Sequence, residues 1–140
     1  MGLQGQFTRA VQLASRCGRV GVGYSPGFEN CRVQAFTAEG KLLAVAEDIG
    51  RHSALDKAIG KCLLRGLRPA GCGAMLSGRV SLEMVSKCVR AGIELITAVS
   101  APTSMAIDVA GRCGVTLCAF VRETRATVFT HPGRISSTQS

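Results

Sequence analysis

Residues 72–100 read CGAMLSGRVSLEMVSKCVRAGIELITAVS, and their pattern decides the fold. CGAMLS (72–77) is a short apolar run between glycine-containing segments, which predicts a buried strand. From Val80 to Ala91, the apolar residues Val80, Met84, Val85, Cys88 and Val89 recur at helical spacing, and Gly92 follows as a C-terminal cap. IELITAVS (93–100) is rich in β-branched residues and predicts a second strand. Two strands joined through a helix imply a parallel pair, because a tight turn cannot connect parallel strands.

The pattern continues on both sides. Downstream, Pro102 is placed in the first turn of a helix over TSMAIDVAGRC, with Ser100 as its N-cap and Gly114 as its stop. VTLCAFV is the next strand and ATVFT (126–130) the last; the polar residues 135–140 read as a frayed tail. Upstream, Leu55, Ala58, Ile59, Cys62 and Leu63 recur at helical spacing from Ala54 onward, ended by Gly66 and Pro69. Before them CRVQAFTA and KLLAVAE flank Glu39-Gly40 as a hairpin, and the run Leu42 to Ala46 suggests a strand covered on both faces. Residues 7–16 read as a helix with Phe7, Val11 and Ala14 on one face, and 18–30 as a glycine-rich loop. The order is α-β-β-α-β-α-β-α-β-β. It predicts an α/β fold: one domain over 1–140, a three-layer α/β/α sandwich with a mixed, mostly parallel sheet.

Composition narrows the function. With 46% hydrophobic and 19% charged residues, the chain is not disordered. No uncharged apolar run reaches about 18 residues, so no membrane helix is expected. The net charge is +8, and thirteen of the seventeen basic residues are Arg, which suits bidentate recognition of phosphate or carboxylate. A polyanionic partner follows, with a solvated basic surface as the plain alternative. No Trp, one Tyr and five Phe leave few platforms for stacking single strands, so nucleic acid is not expected. The seven cysteines form no C-x-x-C, and MGLQGQFTRAVQLAS lacks the apolar stretch of a secretory signal. The expectation is a reduced, cytoplasmic protein whose thiols are mostly buried, with no zinc-site spacing.

In open α/β sheets ligands bind beyond the carboxyl ends of strands. Four segments fall there. Glu47 to Lys57 places two carboxylates, Glu47 and Asp48, with Arg51 and His52 within six residues; it also reads as a helix start with Asp48 near the dipole and Ser53 capping. Ser77, Gly78 and Arg79 open a helix and could offer backbone N–H groups and a guanidinium to an anion; the longer P-loop and its Lys are absent. Ala101, Pro102 and Thr103 lie at the next strand end. Phe120, Val121, Arg122, Glu123, Thr124 and Arg125 follow the penultimate strand, with two Arg suited to phosphate. Each segment alone also reads as an ordinary turn. Together they gather Arg51, Arg79, Arg122 and Arg125 at one end of a sheet, as a nucleotide-like polyanion would require. The hairpin-first order is that of zinc-dependent deaminases, but H-x-E, C-x-E and P-C-x-x-C are all missing, so a cytidine-deaminase-like fold without the zinc site is expected.

EDIGRHSALDKAIG (47–60), SGRVSLEMVSKCVRAGIELITAVSAPTSMAIDVA (77–110) and LCAFVRETRATVFTHPGRI (117–135) closely resemble the FdhD family, the formate dehydrogenase accessory sulfurtransferases. The resemblance covers about residues 30–135. It implies the larger, cofactor-binding domain of that family, with 1–29 divergent. It also implies transfer of sulfur from a cysteine desulfurase to a molybdenum (or tungsten) bis-pyranopterin guanine dinucleotide cofactor, for delivery to formate dehydrogenase. The pocket would take the guanine dinucleotide end, with GDP as a partial mimic. The segment Phe120 to Arg125 matches the family's cofactor contact, and Arg51, His52, Ser77, Gly78, Arg79, Ala101, Pro102 and Thr103 would line the same end. The family also tends to self-associate. Its persulfide-bearing C-G-x-C-G loop has no counterpart here, and its glycine- and histidine-containing segment is altered to Cys17-Gly18-Arg19-Val20-Gly21. The chain therefore reads as either a fragment or a stand-alone homologue. Among its thiols Cys17, between Arg16 and Arg19, is the candidate sulfur carrier, since cationic neighbours favour thiolate. Two further readings stay open: a non-catalytic module for the cofactor or a guanine nucleotide, and a nucleotide-binding scaffold of unrelated role.

Overall fold

The computed structural model describes residues 31–121 and 126–134. The hairpin β1 (Cys31–Phe36) and β2 (Leu42–Asp48) leads into α1 (Arg51–Leu64). Then come β3 (Gly73–Leu76), α2 (Leu82–Ala91), β4 (Leu95–Ala98), α3 (Ser104–Arg112), β5 (Thr116–Ala119) and β6 (Thr127–Thr130), followed by a 3₁₀ turn at Pro132–Arg134. The six strands form one sheet in the order β2-β1-β3-β4-β5-β6. The β3–β4 and β4–β5 pairs are parallel; the other three pairs are antiparallel. The sheet is mixed, as expected, but parallel pairing is confined to its centre. The cause is β1, which inserts between β2 and β3 and runs against both. As a result β2, β3, β4 and β5 share one direction, and their carboxyl ends meet at one end of the sheet.

All three described helices pack on one face. Ala54, Leu55 and Ala58 of α1, Met84, Val85 and Cys88 of α2, and Ala106 and Ala110 of α3 share a core with Val33, Leu76, Ile96, Ala98 and Leu117. The period of two in the strands turns Phe36, Met75, Leu95 and Cys118 to the other face. The helix read from residues 7–16, and with it the third layer, lies outside the described residues. Complete burial of a Leu55- or Ile96-sized side chain contributes about 2–3 kcal/mol.

β2 corrects one expectation. It is an edge strand buried only at alternate positions, Ala44 and Ala46, while Leu42 is exposed. Its free carbonyls are covered from the side. Lys57, Lys61 and Arg65 donate to the carbonyl oxygens of Glu47, Val45 and Leu43 at 3.4, 2.6 and 3.2 Å. Helical steps of four match strand steps of two, so one helix face caps the edge against pairing with another chain.

Local chemistry sets the ends of the elements. Gly92 caps α2 with φ 80°, and a Cβ there would sit 3.0 Å from Ala70. Gly73 lets the Phe36 ring lie over the strand, since a Cβ would come within 2.5 Å of that ring. Ser81 caps α2 by accepting from the Met84 N–H, and Thr103 caps α3 by accepting from the Ala106 N–H. Ser100 therefore does not cap α3, and Pro102 precedes the helix: it joins Val80 in a short parallel bridge that extends the sheet. Ser53 caps nothing. Gly50 is the N-cap of α1, and its N–H bonds Asp48 Oδ1 at 3.0 Å.

Candidate functional site

The shared direction of β2–β5 brings the loops after them together. The β3 and β4 loops are stitched by Val80 N–H to the Ala101 carbonyl (3.2 Å) and Thr103 N–H to the Val80 carbonyl (2.9 Å). A cavity of about 520 Å³ lies here, lined by Arg79, Val99, Ser100, Ala101, Pro102, Thr103 and Phe120. Its volume is within the range of small-ligand sites. Arg79 supplies an exposed guanidinium with no ion pair among the described residues. Phe120, 43% exposed, presents an aromatic ring, 6.4 Å from that of Phe129. Its φ of 52° is left-handed, a costly conformation for a bulky side chain that persists only where surroundings enforce it. Here the Phe120 N–H bonds the Ser100 carbonyl at 3.3 Å, which fixes the turn.

Arg51 lies against Gly78, the residue before Arg79. A Cβ on Gly78 would lie 4.0 Å from the Arg51 Cβ and 3.9 Å from the Cys31 Sγ, both ordinary contacts. Neither backbone angle nor space therefore demands glycine at 78. The Nε of Arg51 is buried without a hydrogen-bond partner among the described residues. Such an orphan donor is rare and costly.

Other expected residues serve the scaffold. Ser77 bonds β1 twice: its Oγ accepts from the Arg32 N–H at 2.8 Å, and its own N–H bonds the Arg32 carbonyl at 3.0 Å. His52 turns to α2, with Nε2 3.0 Å from Glu83 Oε2 and 3.4 Å from Ser81 Oγ. Val121 is buried in the core of the second face. The Lys57 ammonium, 2.6 Å away, and the Gly50 N–H hold the Asp48 carboxyl below its usual range, which keeps the start of α1 anchored to β2. Arg122, Glu123, Thr124, Arg125 and Cys17 lie outside the described residues.

Cys31 is the residue that sequence reading passed over. It begins β1, pairs with Asp48, and so reaches the same end as Arg51. The signal was present, since the hairpin register alone places its first residue opposite its last. Burial pushes the Cys88 and Cys118 thiols up to about 12, and also raises those of Cys62 and Cys72. Cys31 is only partly buried.

A model of the FdhD/NarQ family matches residues 30–136. The chain belongs to the FdhD/NarQ family. It is 48% identical over 100 residues to the sulfur carrier protein FdhD of Bordetella parapertussis, a match covering 71% of this chain and 36% of that protein. The FdhD of Thermoplasma acidophilum is 46% identical with the same coverage. The chain thus spans roughly a third of the length of the curated FdhD relatives it matches. Among solved structures it is similar to a protein assigned as a formate dehydrogenase accessory protein from Desulfotalea psychrophila. That match has a TM-score of 0.76 at 32% identity, over 90% of this chain and 58% of that one. A dCMP deaminase from cyanophage S-TIM5 shares the fold at TM-score 0.51 and 17% identity, over 62% of this chain and 77% of the deaminase. The FdhD/NarQ chain is therefore an α/β protein with the deaminase-like architecture expected from its element order.

Proposed function

We propose that this chain handles the cargo of a sulfur carrier serving formate dehydrogenase. The cargo is the guanine dinucleotide end of a molybdenum (or tungsten) bis-pyranopterin cofactor, held for sulfuration and delivery. The cavity at the strand ends carries the reading, with Arg51, whose Nε is an orphan donor, packed against the Gly78 that precedes its Arg79. About 520 Å³ suits a nucleotide end rather than the whole cofactor. Arg79 and Arg51 would bind phosphate oxygens as charge-assisted donors. Phe120 would stack on the base, and the Ala101–Thr103 backbone would line its edge. Named partners under this reading are the dehydrogenase, which receives the cargo, and a cysteine desulfurase, which supplies sulfur.

The test is calorimetric titration of the chain with GDP, with ADP as control. Selective GDP binding that weakens at least about tenfold in Arg79→Ala supports the reading. Equal binding of both nucleotides, or an unchanged Arg79→Ala variant, would sink it.

The second reading, a module that holds cofactor without carrying sulfur, is favoured by the burial that raises the Cys62, Cys72, Cys88 and Cys118 thiols and so disfavours their thiolates. Cys31 is the described thiol at the site end. Its thiolate would have to attack the outer sulfur of a desulfurase persulfide and release the desulfurase thiolate. Mass spectrometry after incubation with desulfurase and cysteine separates the two. One added sulfur on Cys31 or Cys17 supports the carrier; an unmodified chain supports the module.

A further inference from the structure

We infer that the groove between α1 and α2, at the far end of the sheet from the nucleotide cavity, docks a partner protein's segment bearing acidic side chains around apolar anchors. α1 spends its small residues, Ala54, Ala58 and Cys62, on the core. Its second stripe, Ile59 and Leu63, is left facing the groove beside α2. Leu63 is 61% exposed, and the neighbouring Leu64 is 90% exposed. Scattered apolar residues mean little, but an exposed leucine that lines a cavity together with Ile59, Pro69, Ala70 and Ala91 marks an interaction surface. That cavity holds about 550 Å³ over a floor of Ile59, Leu63, Pro69, Ala70 and Ala91. It offers a pocket for the large side chains that dominate binding energy.

The rim fixes the charge of the occupant. Arg68 and Arg90 line the groove, and neither has an acidic partner among the described residues. The acid lining it, Asp56, is neutralised by Lys87 at 2.7 Å. The groove therefore presents two uncompensated guanidiniums around an apolar centre. A second copy of this chain would set those cations against their own kind, which opposes self-association through this face. An acidic amphipathic segment meets both features, in the helix-in-groove manner.

The inference rests on none of the residues of the nucleotide cavity. A random peptide library displayed on phage is selected against the immobilised full chain, and enriched peptides are resynthesised. The expected sequences carry Asp or Glu flanking Leu, Ile or Phe. Their binding weakens with salt and falls at least about tenfold in Leu63→Glu and in the Arg68→Glu/Arg90→Glu double variant. Cooperative thermal unfolding of both variants checks that they fold, and an unaltered GDP titration keeps this result separate from the fate of the nucleotide reading. Basic or uncharged enriched peptides would overturn the inference, as would equal binding to the Leu63→Glu variant. A dimer in sedimentation that dissociates in Leu63→Glu would assign the face to a second copy and overturn it as well.

Discussion

The two ends of the sheet hold cavities of nearly equal size, about 520 and 550 Å³, yet they are built in opposite ways. At the carboxyl end the walls are loop backbone with Arg79 and Phe120. At the amino end the walls are side chains of α1 and α2, closed by the loop residues Arg68, Pro69 and Ala70. The turns differ as well. The five described glycines with left-handed backbone, Gly40, Gly66, Gly71, Gly92 and Gly114, all precede strands or follow helices at the amino end. There the chain reverses without strain. At the carboxyl end Gly50 and Gly78 have no such angle, and Phe120 takes the left-handed conformation instead. His131, at the amino end, is the other non-glycine with positive φ among the described residues; its ring Nε2–H donates to the Gly111 carbonyl at 2.7 Å, and His tolerates this region better than Phe. Strain and an unpaired buried donor thus gather where a ligand could repay them.

The sharpest test of this contrast exchanges the same substitution between ends. Gly92→Ala should cost about 1–3 kcal/mol in urea unfolding, from the left-handed angle and the 3.0 Å approach to Ala70. Gly78→Ala should change stability by less than about 0.5 kcal/mol, because its Cβ meets only ordinary contacts. Equal costs would erase the difference between the ends.

Arg51→Met comes next. It removes the orphan Nε while keeping most of the packing. GDP affinity should fall about tenfold, or about 1.4 kcal/mol, with thermal stability kept or raised. A stability loss without an affinity loss would make Arg51 a structural residue. Phe120→Gly is the smaller case. Release of the left-handed strain should raise stability by up to about 1 kcal/mol, while nucleotide binding weakens. A loss of stability would mean that the ring's contact with Phe129 matters more than its backbone.

Thiol labelling sharpens the comparison without altering stability. In the folded chain an alkylating reagent should modify Cys31 and the exposed Cys113 quickly. Cys72 at the amino end and the buried Cys62, Cys88 and Cys118 should react only on unfolding, because burial holds their protons on. Rapid labelling of Cys72 would show the amino end to be as open as the site.

The sequence by itself determined the elements. Helical spacing in Ala54–Leu63 and Val80–Val89, the β-branched run before Val99, and the glycine stops at 92 and 114 are local signals, carried by residues a few positions apart. They were enough for the fold class. They also located Arg79, Ala101, Pro102, Thr103 and Phe120, which line one cavity. The tertiary structure alone decided the order of the strands. Nothing local says that β1 slips between β2 and β3, yet that placement makes β2 an edge, limits parallel pairing to the centre, and brings Cys31 beside Arg51 and Gly78. It likewise decided that His52 turns to Glu83 and that Ser77 locks β1 to β3. These are contacts between residues about thirty or more positions apart. Their formation depends on which faces can be buried together, a property of the assembled core rather than of any one segment.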